Sequence, residues 1–492
     1  MMSGAWIPIA IFLPILGGIM IPLIGFRRPK CREIYVFSVV FATSLLTAGL
    51  MAAPPEGAVS VVNITKTIDI AFYVDGLGTV FGVLVAFLWP LATLYAFEYM
   101  AHEPRQNVFF AYYTMTYGLT LGIAFSANLI TMYLFCELLT LVTLPLITHD
   151  RTKAAYVAGV KYLVYFVAGA TAAFVGIILF FVNGGGLEFV PGGLSAGNID
   201  IAPGILGASF LLMFFGFGAK AAVFPVQDWL PSAGVAPTPV TALLHAVAVV
   251  KSGVFAIARF TYYSFGAASL VNTSAQKIAI SFAIFTILYG AVMAWKEVHF
   301  KRRLAYSTIS NLSYMIFGIL LLTPAGLVAG LLHMLFHGIM KIALFFVAGA
   351  VTCQSGLHYV TDLRGFGRRM PHTFAVFTIA SLSLMGVAPL CGFMSKWYLS
   401  QAAIAGGGIF AYLGLIAILI AAVFAAIYLL TIVLRAYFPR KGYVAAGNPQ
   451  AGDPGLYMQI PLTLFAAAVI ALGLFAWPVA EWIGRAVAGA FI

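Results

Sequence analysis

Residues 218–253, GAKAAVFPVQDWLPSAGVAPTPVTALLHAVAVVKSG, restrict this chain more than any other stretch. Proline lacks the backbone N–H and crowds the preceding turn. An apolar helix carrying Lys220 is therefore expected to break at Pro225, and a second one carrying His245 and Lys251 to follow Pro237 and Pro239. Both flanks are long enough to be membrane spans. A lysine in hydrocarbon costs about 2.5–3.5 kcal/mol even on a lenient scale, and a broken helix is tolerated there only where protein or a water-filled cavity lines it. Two lysines beside an interrupted helix therefore predict an ion path.

The rest of the chain fits a membrane setting. Of 492 residues 62% are hydrophobic and 8% charged, against roughly 25% charged in soluble domains. Apolar runs of about 20 residues predict an all-α polytopic membrane protein with spans near 5–26, 33–53, 74–97, 107–126, 128–148, 154–182, 203–224, 240–263, 276–295, 304–323, 325–353, 373–400, 409–436 and 457–478, about fourteen in all. Basic residues fall on alternate loops: Arg27, Arg28, Lys30 and Arg32; Arg151 and Lys153; Lys296, Lys301, Arg302 and Arg303; Arg364, Arg368 and Arg369; Arg435, Arg440 and Lys441. The opposite loops, such as 183–202 with Glu188 and Asp200, carry almost none. By the positive-inside rule the basic loops are cytoplasmic and both termini lie outside, in a cell membrane. The net charge of +11 thus reports topology rather than affinity for nucleic acid. The first span is followed, not preceded, by positive charge and holds Pro8, Pro14 and Pro22, which reads as a retained helix rather than a cleaved signal.

Several chemistries find no support. Cys31, Cys136, Cys353 and Cys391 are far apart with no CxxC pair, giving no iron–sulfur, zinc or dithiol site. No nucleotide-binding glycine pattern opens a strand–helix unit. We therefore expect neither cofactor nor metal. Residues 59–78 alternate apolar and polar types as a short outer hairpin would, and 439–456 read as an irregular loop. FPVQDWLPSA at 224–233 echoes GFMSKWYLSQ at 392–401. Five spans separate the two, so their membrane directions are opposite, the arrangement of inverted repeats with discontinuous helices.

Within the predicted spans lie Glu137, Lys161, Lys220, His245, Lys251, His333, His337, Lys341 and Lys396. One buried lysine can be structural; five with a carboxylate and three histidines point to function. Glu137 has no basic residue within a helical turn and must be protonated or face a cation on another helix. Lys220 is the natural candidate, either as a static pair fixing register or as a switched pair whose opening lets the lysine release a proton. Lys251 is the candidate central carrier. His245 is six residues earlier, on another face, and either supports a wire or is satisfied by a backbone carbonyl at the proline break. His333, His337 and Lys341 stand at i, i+4 and i+8 on one stripe that bridges lysine sites through water. All three on one helix argues against axial heme ligation, which usually draws on separate helices. Lys396 is the terminal site, and Lys161 and Asp228 are secondary candidates.

KAAVFPVQDWLPSAGVAPTPVTALLHAVAVVKSG, HGIMKIALFFVAGA and APLCGFMSKW together resemble the antiporter-like subunits shared by respiratory complex I, Mrp-type cation/proton antiporters and membrane-bound hydrogenases. The resemblance implies a fourteen-helix fold with helices one to three in 1–106, two inverted five-helix repeats in 107–263 and 276–436 with discontinuous helices seven and twelve, and helix fourteen in 437–492. It also implies a proton pathway through Glu137, Lys220, Lys251 and Lys396, linked by His245, His333, His337 and Lys341. Lysine at 396 departs from one complex I paralogue, and the lack of a long lateral helix after span fourteen from the distal one. Length and layout are most similar to the D-type Mrp subunit and its hydrogenase counterpart, between which the residues do not decide.

The expected role is thus a proton-translocating subunit among other hydrophobic subunits in a prokaryotic membrane. The residues do not decide whether sodium passes through this subunit or enters indirectly, since no cluster of oxygen ligands for a hard cation is apparent. Any enzymatic reaction would belong to the parent complex. A free-standing solute transporter and a passive membrane anchor are the rival readings.

Overall fold

A computed structural model describes residues 3–65, 68–195, 201–439, 447–448 and 450–491. Asp200, Arg440 and Lys441 lie outside the described residues. Among the described residues eleven helices are long and apolar enough to cross a membrane, including Trp6–Ile24, Gly76–His102, Lys153–Val182 and Ile409–Tyr437. The remaining predicted spans fall on Gln106–Ala124, on Phe300–Leu320, and on the pair Pro371–Met385 and Cys391–Gly406. The first is diluted by Thr and Tyr, the second opens on Lys301, Arg302 and Arg303, and the third is interrupted. Each thus falls short for a local reason, the first two in composition and the third in length.

The apolar stretches of Thr238–Phe265 and Pro324–Ser355 are completely buried, whereas those of Pro29–Ala52 and Lys153–Val182 are only 28% and 33% buried. The molecule therefore has an inner pair of helical segments, and that pair carries Lys251, His333, His337 and Lys341. Outside it, apolar side chains such as Leu23, Val164 and Ile416 face outward, as lipid contact requires. A hairpin of Val59–Asn63 and Asp69–Phe72, antiparallel with an irregular register between Ser60 and Val62, lies at one end. A short amphipathic helix, Ala476–Ala486, follows the last long one.

Small residues set the closest crossings. Gly169, Ala173 and Gly176 of Lys153–Val182 meet Pro203–Lys220, and a Cβ on Gly216 would lie 2.5 Å from the backbone nitrogen of Ala173. Such stripes let helix backbones approach without a hydrophobic driving force. Gly216→Ala is expected to destabilise the protein by about 1–3 kcal/mol through overpacking, read as earlier thermal aggregation in detergent; an unchanged midpoint would show that the crossing relaxes.

Discontinuities are where the chain departs most from simple spans. Pro203–Lys220 ends in an irregular stretch before Trp229–Ser232, and Pro371–Met385 stops at Gly386 (φ 101°) before Cys391–Gly406 begins. The predicted span 240–263 is also two helices, Thr238–Ala246 and Val249–Phe260, with Val247 at φ −147° between them. Valines at 247, 249 and 250 flank this third break, and β-branched residues are poorer helix formers.

A buried row of lysines and histidines as candidate functional site

Each break frees backbone carbonyls, because the last turn of a helix has no intrahelical donor for them. Two of the buried lysines sit on such carbonyls. Lys251 Nζ donates to His245 O at 2.6 Å, across the break after Ala246, and Lys396 Nζ donates to Leu384 O at 2.6 Å and Met385 O at 3.0 Å. Helix C-termini carry partial negative charge, so these are favourable seats for an ammonium that cannot reach water.

Lys220, the last residue of its helix, is placed 3.3 Å from the Glu137 carboxylate, and it also donates to Thr140 Oγ1, one turn from Glu137. Its ammonium lies 4.4 Å from the centre of the Phe166 ring. Trp229 covers the break by donating its indole N–H to Ala219 O at 2.8 Å. Gly253 brings the Lys251 helix against this point, since a Cβ there would lie 2.5 Å from the nitrogen of Ala221. No direct hydrogen bond joins Lys220 to Lys251 among the described residues.

Beyond Lys251 a buried row of polar and ring contacts follows. Lys251 Nζ stands 3.0 Å from His337 Nδ1; the His337 and His333 rings are 5.6 Å apart; His333 Nδ1 is 2.9 Å from the hydroxyl of Ser395, the neighbour of Lys396. Asn311 holds the other His333 nitrogen at 3.3 Å. All of these except the terminal lysine are fully or almost fully buried, and Lys396 is 8% exposed. Lys341, expected to share the stripe, turns aside to Leu304 O at 2.9 Å and to the Ser307 hydroxyl.

Two expectations need correction. His245 was placed away from Lys251 by regular helix geometry, yet the break brings its carbonyl onto the lysine. Its ring is not satisfied by a backbone carbonyl either: it stacks on Phe345 at 4.4 Å, and neither ring nitrogen has a partner among the described residues. Lys161 and Asp228 pair with each other in a partly exposed setting, outside the buried row. The sequence echo around Trp229 and Trp397 joins unlike environments, one buried and the other 51% exposed.

Sequence reading passed over Arg259 and Asp75. Arg259 is buried, donates to both Asp75 oxygens (Nη2 to Oδ1 at 2.8 Å) and reaches Ala124 O at 3.4 Å. Asp75 also caps Gly76–Tyr99 by accepting from Gly78 N at 2.8 Å. The pair ties the end of the Lys251 helix to the start of another. Thr140, Ser307, Asn311 and Ser395 were missed because single hydroxyls and amides are unremarked in apolar runs.

Outside the spans, the loop before Phe300–Leu320 zips onto 358–360, with Phe300 N donating to His358 O at 2.8 Å and Val360 N to Val298 O at 3.0 Å. Burial, then the positive charges of His358 and Lys301, pull the His299 pKa down from 6.5 to about 4. A base whose folded pKa is depressed confers full stability above its unfolded value and loses it as pH falls. Amide exchange at Phe300 and Val360 is therefore expected to speed up relative to the core between pH 6.5 and about 4, and a His299→Gln variant to lose that dependence; equal pH profiles in the two would contradict it.

Among the described residues no group of three metal-ligating side chains comes together. A family model described as "NADH:quinone oxidoreductase/Mrp antiporter, TM" matches residues 126–425, more than half the chain. Another, "NADH-Ubiquinone oxidoreductase (complex I), chain 5 N-terminus", matches 62–110. NADH-quinone oxidoreductase subunit N of Desulforudis audaxviator is 29% identical over 94% of this chain and 96% of its own length. Subunit L of Mycobacterium tuberculosis is 32% identical over 82% of this chain, which spans only 63% of that subunit. Among solved structures, a chain of the Mrp complex from Dietzia sp. is similar with a TM-score of 0.84 at 26% identity, covering 98% of this chain and 52% of its own. An archaeal membrane-bound sulfane sulfur reductase shares the fold with a TM-score of 0.88 at 24% identity, over 99% of this chain and 98% of its own. With the row of buried charges in place, these matches have one reading: the chain belongs to the NADH:quinone oxidoreductase/Mrp antiporter family of polytopic membrane subunits.

Proposed function

We propose that the chain is an antiporter-like subunit that moves protons within a multisubunit complex of a bacterial or archaeal membrane. The observation that carries this reading is the buried row Lys251, His337, His333 and Ser395, ending beside Lys396, in which hydrogen-bond contacts at each end flank two imidazole rings 5.6 Å apart. Imidazole both accepts and donates a proton, one at each ring nitrogen, so two of them in series between amines form a relay. Glu137 and Lys220 supply the electrostatic control. The carboxylate stabilises the ammonium while the two are paired, and their separation removes that stabilisation. Fourteen spans, two inverted repeats at 107–263 and 276–436, and outward-facing termini complete the proposed layout.

A partner subunit is implied by Glu137 itself. Its side chain is 24% exposed on a helix whose outer face also shows Leu134 and Leu141. A carboxylate facing lipid at that depth is costly, and a neighbouring membrane subunit would cover it. Tagged purification in mild detergent followed by reconstitution tests the whole reading. Small hydrophobic subunits should co-purify, and proton movement should need them; an active monomer transporting a solute would overturn it.

A further inference from the structure

We propose a binding site for the phosphate of an anionic phospholipid headgroup between the first two long helices and the start of Gln106–Ala124. A shallow, open depression of about 330 Å³ lies there, lined by Phe26, Pro29, Arg32, Glu103, Arg105 and Asn107 among others. That size is at the lower end of ligand sites, about 300–1,000 Å³. It lies on the side that carries the basic loops, because His149 Nε2 contacts Pro104 O at 3.1 Å and so joins the Arg151 loop to the Arg105 loop.

The walls are built for an anion. Arg32 is only 6% exposed. Asn107 Oδ1 at 3.1 Å and the Gln106 side chain hold two of its nitrogens, and its Nε–H is sealed from solvent, so Arg32 serves the cavity as a fixed positive charge in its wall. Asn107 also donates to Phe26 O at 3.0 Å, which fixes the 25–28 turn against the cavity. Gln106–Ala124 begins here with no side-chain cap, so its first N–H groups are free to meet an acceptor. Arg105 stands at the cap position with φ 54° and lines the cavity. Arg27, Arg28 and Lys30 are exposed beside it, against the carboxylates of Glu33 and Glu103. On the membrane side Leu23, Ile24 and Ile34 are exposed, the last by 68%. Cations at the boundary and apolar surface below it match a lipid, with phosphate above and acyl chains along the helices, rather than a free anion.

The complex, purified with its partner subunits and reconstituted in equal phosphatidylglycerol and phosphatidylcholine, is released for native mass spectrometry. Retained phosphatidylglycerol is expected to exceed phosphatidylcholine. Loss of one interfacial cation lowers anionic-lipid affinity about fivefold, so Arg105→Asn and Arg32→Gln should each lower retention by at least that factor. Asn tolerates positive φ better than most residues, so the Arg105 variant tests the site even if the Arg32 variant misfolds. Equal retention in wild type and Arg105→Asn overturns the proposal. Displacement by inorganic phosphate as readily as by glycerophosphoglycerol overturns the lipid assignment in favour of a free-anion site.

Discussion

Proteoliposomes carrying the complex with Lys220→Arg are expected to translocate protons no better than those with Lys220→Met, about a hundredfold or more below wild type, while the Arg protein remains folded. Lys220 stands 3.3 Å from Glu137, beside Thr140 and against the Phe166 ring. A guanidinium preserves each of those interactions: it pairs with a carboxylate, donates to a hydroxyl and stacks on an aromatic face. It differs in one property, since arginine stays protonated in proteins whereas a lysine amine is able to exchange its proton. A pair that merely fixes helix register would survive the exchange with its activity intact. A pair that releases a proton when it opens would not. Initial rates of dye quenching, normalised to reconstituted complex, separate the two; near-wild-type pumping by the Arg variant would reduce the pair to a structural role. Thermal midpoints separate loss of fold from loss of the exchangeable proton, because the Met variant, which removes one partner of the pair, is expected to cost about 3–5 kcal/mol and the Arg variant far less.

Much of this arrangement is legible in the sequence for a physical reason: the bilayer forces long apolar runs, so anything that interrupts one stands out. The placement of helices near every predicted span, and the interruptions at Pro225 and at Pro389, follow from that rule. So does the prominence of Lys220, Lys251 and Lys396. What stayed hidden was geometry that no composition signals. The break after Ala246 contains no proline or glycine, so regular helix geometry put His245 and Lys251 on different faces, and the carbonyl contact at 2.6 Å was not foreseen. Arg259 and Asp75 were absorbed into span ends, 184 positions apart. Lys341 shares the i, i+4, i+8 stripe with the two histidines yet finds Ser307 on another helix, because a long flexible side chain is not bound to the direction of its Cα. Lys161 and Asp228 show the converse: charges 67 positions apart that satisfy each other.

Lys251→Met is expected to stop proton translocation, again by about a hundredfold or more, with little change in stability. Methionine matches the length of the lysine stem and fills irregular apolar space, so the cavity around position 251 stays packed. Removing a fully buried ammonium lifts a desolvation cost that the single histidine and one carbonyl only partly offset. Against that, His245 O loses its donor, an unsatisfied acceptor worth about 1–3 kcal/mol. The two terms oppose each other, so the thermal midpoint should move little in either direction. Transport has no such compensation. His337 receives its nearest proton donor through the 3.0 Å contact with Lys251, and among the described residues its other ring nitrogen has no partner. With methionine in place, the relay through His333 toward Ser395 and Lys396 begins at an imidazole that nothing charges. Retained translocation in a folded Lys251→Met complex would mean that protons bypass this row, and the buried amines would then have to be read as supports for the broken helices.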